Sequence, residues 1–129
     1  MSKIFILIVI NLIFLINIQT KVFSKTITYK EILDNPIDLE LNLNYAKQQE
    51  KTGNLKSTIA TLERLSILYP KNSDIKLYLL SILLKMDSKI KVDLMVKTIL
   101  NDPNTTDETK LLIAELLTDQ KIEKAEEEK

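Results

Sequence analysis

The 129-residue chain has no cysteine, no histidine and no tryptophan, one glycine and three prolines. Each shortage removes something. Without cysteine there are no disulfides, no thiolate zinc sites, no cysteine nucleophile and no N-terminal cysteine to carry a lipid. Without histidine the usual general base, the Ser-His-Asp triad and the commonest metal ligand are gone. Carboxylate pairs exist at Asp107 and Glu108 and from Glu126 to Glu128. Acid-base chemistry needs such pairs in a pocket that shifts their pKa values; at a helix start and in a charged tail, capping and solubility account for them. The expectation is a non-enzymatic protein without cofactor or metal. Eighteen basic residues balance eighteen acidic ones and no basic block stands out, so nucleic-acid binding has no electrostatic support. One glycine and few alternating β-branched residues argue against a sheet.

The longest hydrophobic run lies at the start. Lys3 supplies a positive end, and Ile4 to Ile18 is apolar except for Asn11 and Asn17. Fifteen residues suit the hydrophobic region of a signal peptide and are short for a membrane span, which needs about 20. Val22-Phe23-Ser24 places branched and small residues at −3 and −1, so cleavage after Ser24 is expected. The alternative is an uncleaved anchor in the inner membrane. Either way the segment meets a membrane and the remainder is exported, in a bacterium to the periplasm or the outside.

The prolines set a period. Pro36 to Pro70 and Pro70 to Pro103 are nearly equal steps of about 34 residues, the second shorter by one. Proline cannot continue a helix and disfavours helix in the residue before it. Each is followed shortly by a residue able to cap a new helix, namely Asp38, then Asn72 or Asp74, then Asn104 or Asp107. Each site therefore predicts helix stop, short link, helix start.

Between these stops the pattern is helical. Thr28 with Glu31 has capping-box spacing, and Tyr29, Ile32 and Leu33 give a short helix that packs as a lid. Asp38 to Thr52 places Leu39, Leu43 and Ala46 on one face, with Leu41 and Tyr45 beside them. Gly53-Asn54 makes a turn, and Leu55, Ile59, Leu62 and Leu65 line the helix that follows to Leu68. Ser73 to Met86 is apolar almost all round and is expected to be buried on both sides, with Leu79, Leu80 and Leu83 deepest. Asp87-Ser88 replaces Gly-Asn at the next turn. Val92, Met95, Val96, Ile99 and Leu100 line the next helix. A last helix runs from Thr106 to about Glu123 with Leu112, Ala114, Leu116 and Leu117 on its apolar side, and Lys121 to Lys129 reads as a frayed, charged end.

From Asp38 to Asn104 the chain resembles the tetratricopeptide repeat, a helical hairpin of about 34 residues that ends in proline. Tyr45-Ala46 through Gly53-Asn54 to Pro70 carries the resemblance best. Ala46 falls where the family has a small residue so that its two helices, A and B, approach closely. The family's alanine after the turn is replaced by Thr58, with Ala60 two positions on, which predicts a looser contact. The second repeat departs from the pattern at Asp87 and is one residue short. The segment from Thr28 is also similar to the periplasmic module of exported alphaproteobacterial proteins in which such repeats precede an outer-membrane β-barrel, as in surface lipoprotein assembly modifiers, but no barrel strands follow.

The resemblance implies an all-α fold, a short helical solenoid of about five helices after the lid. The boundaries expected are 1–24 signal or anchor, 25–37 lead-in, 38–104 two repeats, 105–120 capping helix and 121–129 charged tail. It also implies a concave face, made by the A helices, that binds extended protein segments. On this sequence that face carries Glu40, Leu43, Lys47, Glu50 and Lys51, then Leu77, Ser81, Leu84 and Lys85. The family's lysine–asparagine clamp for a C-terminal carboxylate is missing, since Leu43 and Lys47 stand in its place. Two and a half repeats are fewer than the three usually needed, so a partner or self-association is expected to complete the stack. The function implied is a periplasmic protein-interaction scaffold. The alternative is a membrane-anchored accessory subunit of an envelope complex.

Overall fold

The computed structural model describes residues 25–127; the signal or anchor segment expected at 1–24 lies outside the described residues. Six helices follow one another among the described residues: α1 (Tyr29–Asp34), α2 (Leu39–Lys51), α3 (Leu55–Leu68), α4 (Ser73–Lys85), α5 (Lys89–Leu100) and α6 (Asp107–Glu127). The chain is all-α. Helices α1, α3 and α5 stop at Asp34, Leu68 and Leu100, each shortly before a proline, as the restricted backbone of an X-Pro pair requires.

The period is carried by the helix starts and turns. Asp38 accepts a hydrogen bond from the Leu41 N–H, Asn72 from those of Asp74 and Ile75, and Thr106 from that of Thr109. These caps begin α2, α4 and α6 at two equal steps of the period, although Pro103 comes one position early. The turns repeat as closely. After α2 the Gly53 N–H donates to the Glu50 carbonyl at 2.9 Å and the Asn54 N–H to the Gln49 carbonyl at 2.8 Å, the paired bonds of a Schellman stop. One full period on, after α4, the Asp87 N–H donates to the Leu84 carbonyl at 3.0 Å and the Ser88 N–H to that of Leu83 at 3.2 Å. This geometry needs a left-handed residue, and Gly53 has φ 78° and Asp87 φ 51°. Aspartate is among the few side chains that tolerate that region. The second turn thus departs from the first in sequence and keeps its backbone.

Successive helices pack in order. α1 lies on α2, α2 on α3, α3 on α4, and α4 also meets α5 and α6. α4 is the centre: Ile75, Leu79, Leu80, Ile82, Leu83 and Leu84 are all buried. The lid is anchored by Ile32, 1% exposed, and by Tyr29, whose ring centre lies 6.4 Å from that of Tyr45. The looser contact expected at Thr58 is not found. Thr58 and Ala46 are both fully buried, and the threonine hydroxyl donates to the Ala46 carbonyl at 3.3 Å and to that of Asn54 at 3.2 Å. With its hydroxyl so bonded, the residue fits where alanine was expected.

The last helix differs from expectation in two ways. Its buried face is Thr109 and Ile113, flanked by Leu116 and Leu117, while Leu112 and Ala114 are exposed. It also runs to Glu127 instead of fraying from Lys121. Lys124 pairs with Asp87, and the Gln120 Nε2 donates to the Leu84 carbonyl at 3.1 Å, so the polar extension is tied across the end of α4.

Candidate functional site

Helical spacing places Leu43, Lys47, Glu50 and Lys51 along one side of α2. Leu77, Ser81, Leu84 and Lys85 hold the matching places on α4, one period later. Leu43 and Leu77 are half-buried and packed against the core, whereas Lys47, Lys51 and Lys85 are exposed. Glu40 is exposed at the start of α2. Leu84 does not belong to an open face. It is buried because Gln120 and the second half of α6 close over the end of α4.

Glu50 joins the two helices. Tyr78 Oη donates to Glu50 Oε2 at 2.6 Å, and Lys85 Nζ donates to Oε1. Lys85 first and Tyr78 second hold the Glu50 carboxyl below the usual carboxylate range. Burial, reinforced by the Glu50 charge, raises the Tyr78 phenol above its ordinary value. Glu50 and Lys85 therefore spend their charge on each other. Ser81 Oγ donates to the Tyr78 carbonyl of its own helix at 2.7 Å. The charges left to meet a ligand are Lys47 and Lys51, with Glu40 at the start of α2.

These two lysines border an open groove of about 440 Å³ lined also by Asn44, Gln48, Thr52 and the non-helical residues Lys25 to Ile27. Gln48 holds that segment by both of its backbone groups. The Ile27 N–H donates to Gln48 Oε1 and Gln48 Nε2 donates to the Ile27 carbonyl, each at 2.9 Å. The capping box of Thr28 and Glu31 then turns the chain into α1. Lys25 pairs with Glu31, and that contact, with the bonds from Thr28, takes the Glu31 carboxyl down to about 2.

Sequence reasoning passes over Gln48 and Tyr78. Gln48 sits between the lysines as one more polar residue, and only the folded lead-in reveals its partner. Tyr78 sits in a run of leucines and reads as core. A second polar cluster also escapes it. Asn42, fully buried, donates to the Asn35 and Asp38 carbonyls at 3.0 and 2.6 Å. Arg64, the only arginine, donates to the Asn42 side chain and to the Pro36 carbonyl at 3.1 Å. Tyr69 Oη donates to the Ile37 carbonyl at 2.5 Å. These three side chains grip the Asn35–Asp38 link.

Among the described residues every buried side-chain nitrogen or oxygen has a hydrogen-bond partner, and no three acidic side chains gather where they could hold a metal ion. No described helix is long and apolar enough to cross a membrane. No protein-family model, curated protein or solved structure matches the chain.

Proposed function

We propose that this protein is a non-enzymatic interaction scaffold of the tetratricopeptide type, exported to the bacterial cell envelope, which binds extended protein segments on the concave face of the A helices, chiefly along α2. The observation that carries the reading is the lead-in itself. Lys25 to Ile27 forms one wall of the α2 groove, and Gln48 holds Ile27 there through its backbone N–H and carbonyl. A groove that binds one segment through main-chain bonds suits others of different sequence, because every peptide offers the same N–H and carbonyl. Leu43 and Leu77 lie outside the lining of this groove, half-buried against the core on the expected A-helix face, and Lys47 and Lys51 give the groove's margin positive charge. The fitting partner is an extended segment with apolar anchors and acidic flanks. Export rests on the apolar segment at 4–18, and the scaffold class on the periodic recurrence of caps and turns.

Selection from a random-peptide library on the purified protein tests this. Peptides with apolar positions flanked by aspartate or glutamate are expected to be enriched. Lys47→Glu with Lys51→Glu, both exposed, should reverse the flank preference without loss of helicity. Enrichment indifferent to that reversal would place the binding surface elsewhere.

A further inference from the structure

The face of α6 turned away from α4 carries a pattern of its own. Lys110-Leu111-Leu112-Ile113-Ala114-Glu115 and Lys121-Ile122-Glu123-Lys124-Ala125-Glu126 share the form Lys-apolar-x-x-Ala-Glu, eleven positions apart. All four apolar positions, Leu111, Ala114, Ile122 and Ala125, are exposed, with Leu111 at 61% and Ile122 at 54%. With 3.6 residues per turn they fall within an arc of about 80°, roughly opposite Ile113. Eleven residues make three turns of nearly ideal helix, so the stripe stays on one side without supercoiling to the left. Lysine lies along one edge of the stripe and glutamate along the other. Among the described residues nothing packs on it.

We propose that this stripe pairs with the same stripe of a second copy, the two α6 helices running parallel about a two-fold axis. Charge decides the orientation. In a parallel pair the lysine edge of one helix meets the glutamate edge of the other, and the two residues that face each other are five positions apart. Lys110, which within one copy pairs with Asp107 at 2.8 Å, then meets Glu115 of the second copy and Lys121 meets Glu126, each pair separated by five in sequence. In an antiparallel pair like edges would meet, setting Glu115 and Asp119 against their own kind. Leu111 and Ile122 stack on their own counterparts, while the alanines let the helices approach. Because the stripe lies opposite the face that packs on α4, the two bodies flank the helix pair without colliding. The surface is separate from the α2 groove, and the inference stands whatever that groove binds.

The chain has no cysteine, so one introduced thiol is the only one. Leu111→Cys and Ala125→Cys are made in the full chain, and each purified variant is treated with a short thiol–thiol cross-linker. A parallel pair brings every residue to its own counterpart, so both variants should become covalent dimers. An antiparallel pair would bring together only Thr118→Cys, at the centre of the stripe; cross-linking there alone, or at none of the three, overturns the proposal. Charge variants give a second readout. Glu115→Lys with Glu126→Lys should raise the dimer dissociation constant at least about tenfold. Adding Lys110→Glu and Lys121→Glu should bring it back to within about threefold. Unchanged helicity shows that the variants fold, and failure of the fourfold swap to restore the dimer refutes the pairing.

Discussion

The two helical hairpins α2–α3 and α4–α5 have one backbone plan and two kinds of interior. The five backbone hydrogen bonds that join Gln48 through Thr58 recur, bond for bond, from Ile82 through Val92. The side chains at matching places differ. The first hairpin buries Asn42, Thr58 and Thr61 and draws Arg64 across the link. The second buries Leu79, Leu80, Ile82 and Leu83. What repeats is where helices start and stop. What fills the space depends on the neighbours: α4 is enclosed by three helices and needs apolar bulk, while α2 also has to hold the link and the lead-in, which present carbonyls.

The largest expected effect follows from that contrast. Leu83, 2% exposed, holds the place in the second hairpin that Gln49, only half-buried, holds in the first. Leu83→Ala should cost about 2–5 kcal/mol in urea titration, the usual range for a buried leucine. Gln49→Ala should cost less than about 1 kcal/mol. Equal losses would mean that the hairpins do not differ in the way described. Next in size is the polar joint of the first hairpin. Asn42→Ala removes two side-chain hydrogen bonds, leaving the Asn35 and Asp38 carbonyls only their backbone donors, and should cost about 1–3 kcal/mol. Because Arg64 bonds Asn42 as well as the Pro36 carbonyl, the double variant with Arg64→Ala should lose less than the sum of the two single losses. Simple addition of the two would show independent contacts.

The turns sharpen the same point at smaller scale. A Cβ at Gly53 would meet nothing within 4 Å, so substitution there tests the backbone alone. Gly53→Ala should cost about 1–2 kcal/mol, the usual penalty of a left-handed residue. Gly53→Asp should cost clearly less, because Asp87 holds the same place in the second turn. The smallest effect concerns acid. The Lys76 ammonium, 2.8 Å away, and the bonds from Asn104 depress the Asp102 carboxyl to about 2 from 3.8. A depressed carboxylate adds stability above its unfolded pKa and loses it as pH falls through the folded value. Stability should therefore decline between about pH 4 and pH 2, and Asp102→Asn should flatten that part of the curve. The first hairpin has no counterpart to this pair, since Asn42 stands where the second has Lys76.

Much of this architecture is legible in the sequence. Proline stops, capping residues and apolar periodicity locate all six helices, because each acts within a few residues of itself. The central burial of α4 follows from leucines around its whole circumference. Long-range polar partners are not legible. Gln48 meets Ile27 across 21 positions, and Arg64 meets Asn42 across 22, and nothing local marks either pair. Leu84 is misplaced on the open face because its exposure depends on α6, whose charged end reads as frayed from Lys121. A charged stretch reads as solvated unless the partners of Gln120 and Lys124 are known.

The longer link before α6 has a further consequence. Four residues separate α3 from α4, but six separate α5 from α6. α5 is two residues shorter than α3, so material has moved from a helix, which advances about 1.5 Å per residue, into a strand of chain that can reach more than about 3 Å per residue. α4 hangs on a short tether that leaves it little choice of position. α6 hangs on slack. Besides the packing of Ile113, Leu116 and Leu117, its seat is set by small fastenings: Thr105 to the Ile99 carbonyl, Lys76 to Asp102, Gln120 to Leu84 and Lys124 to Asp87. The central helix is thus placed in part by the length of its chain, while the last helix relies on its packed face and on side-chain bonds that can be undone one at a time.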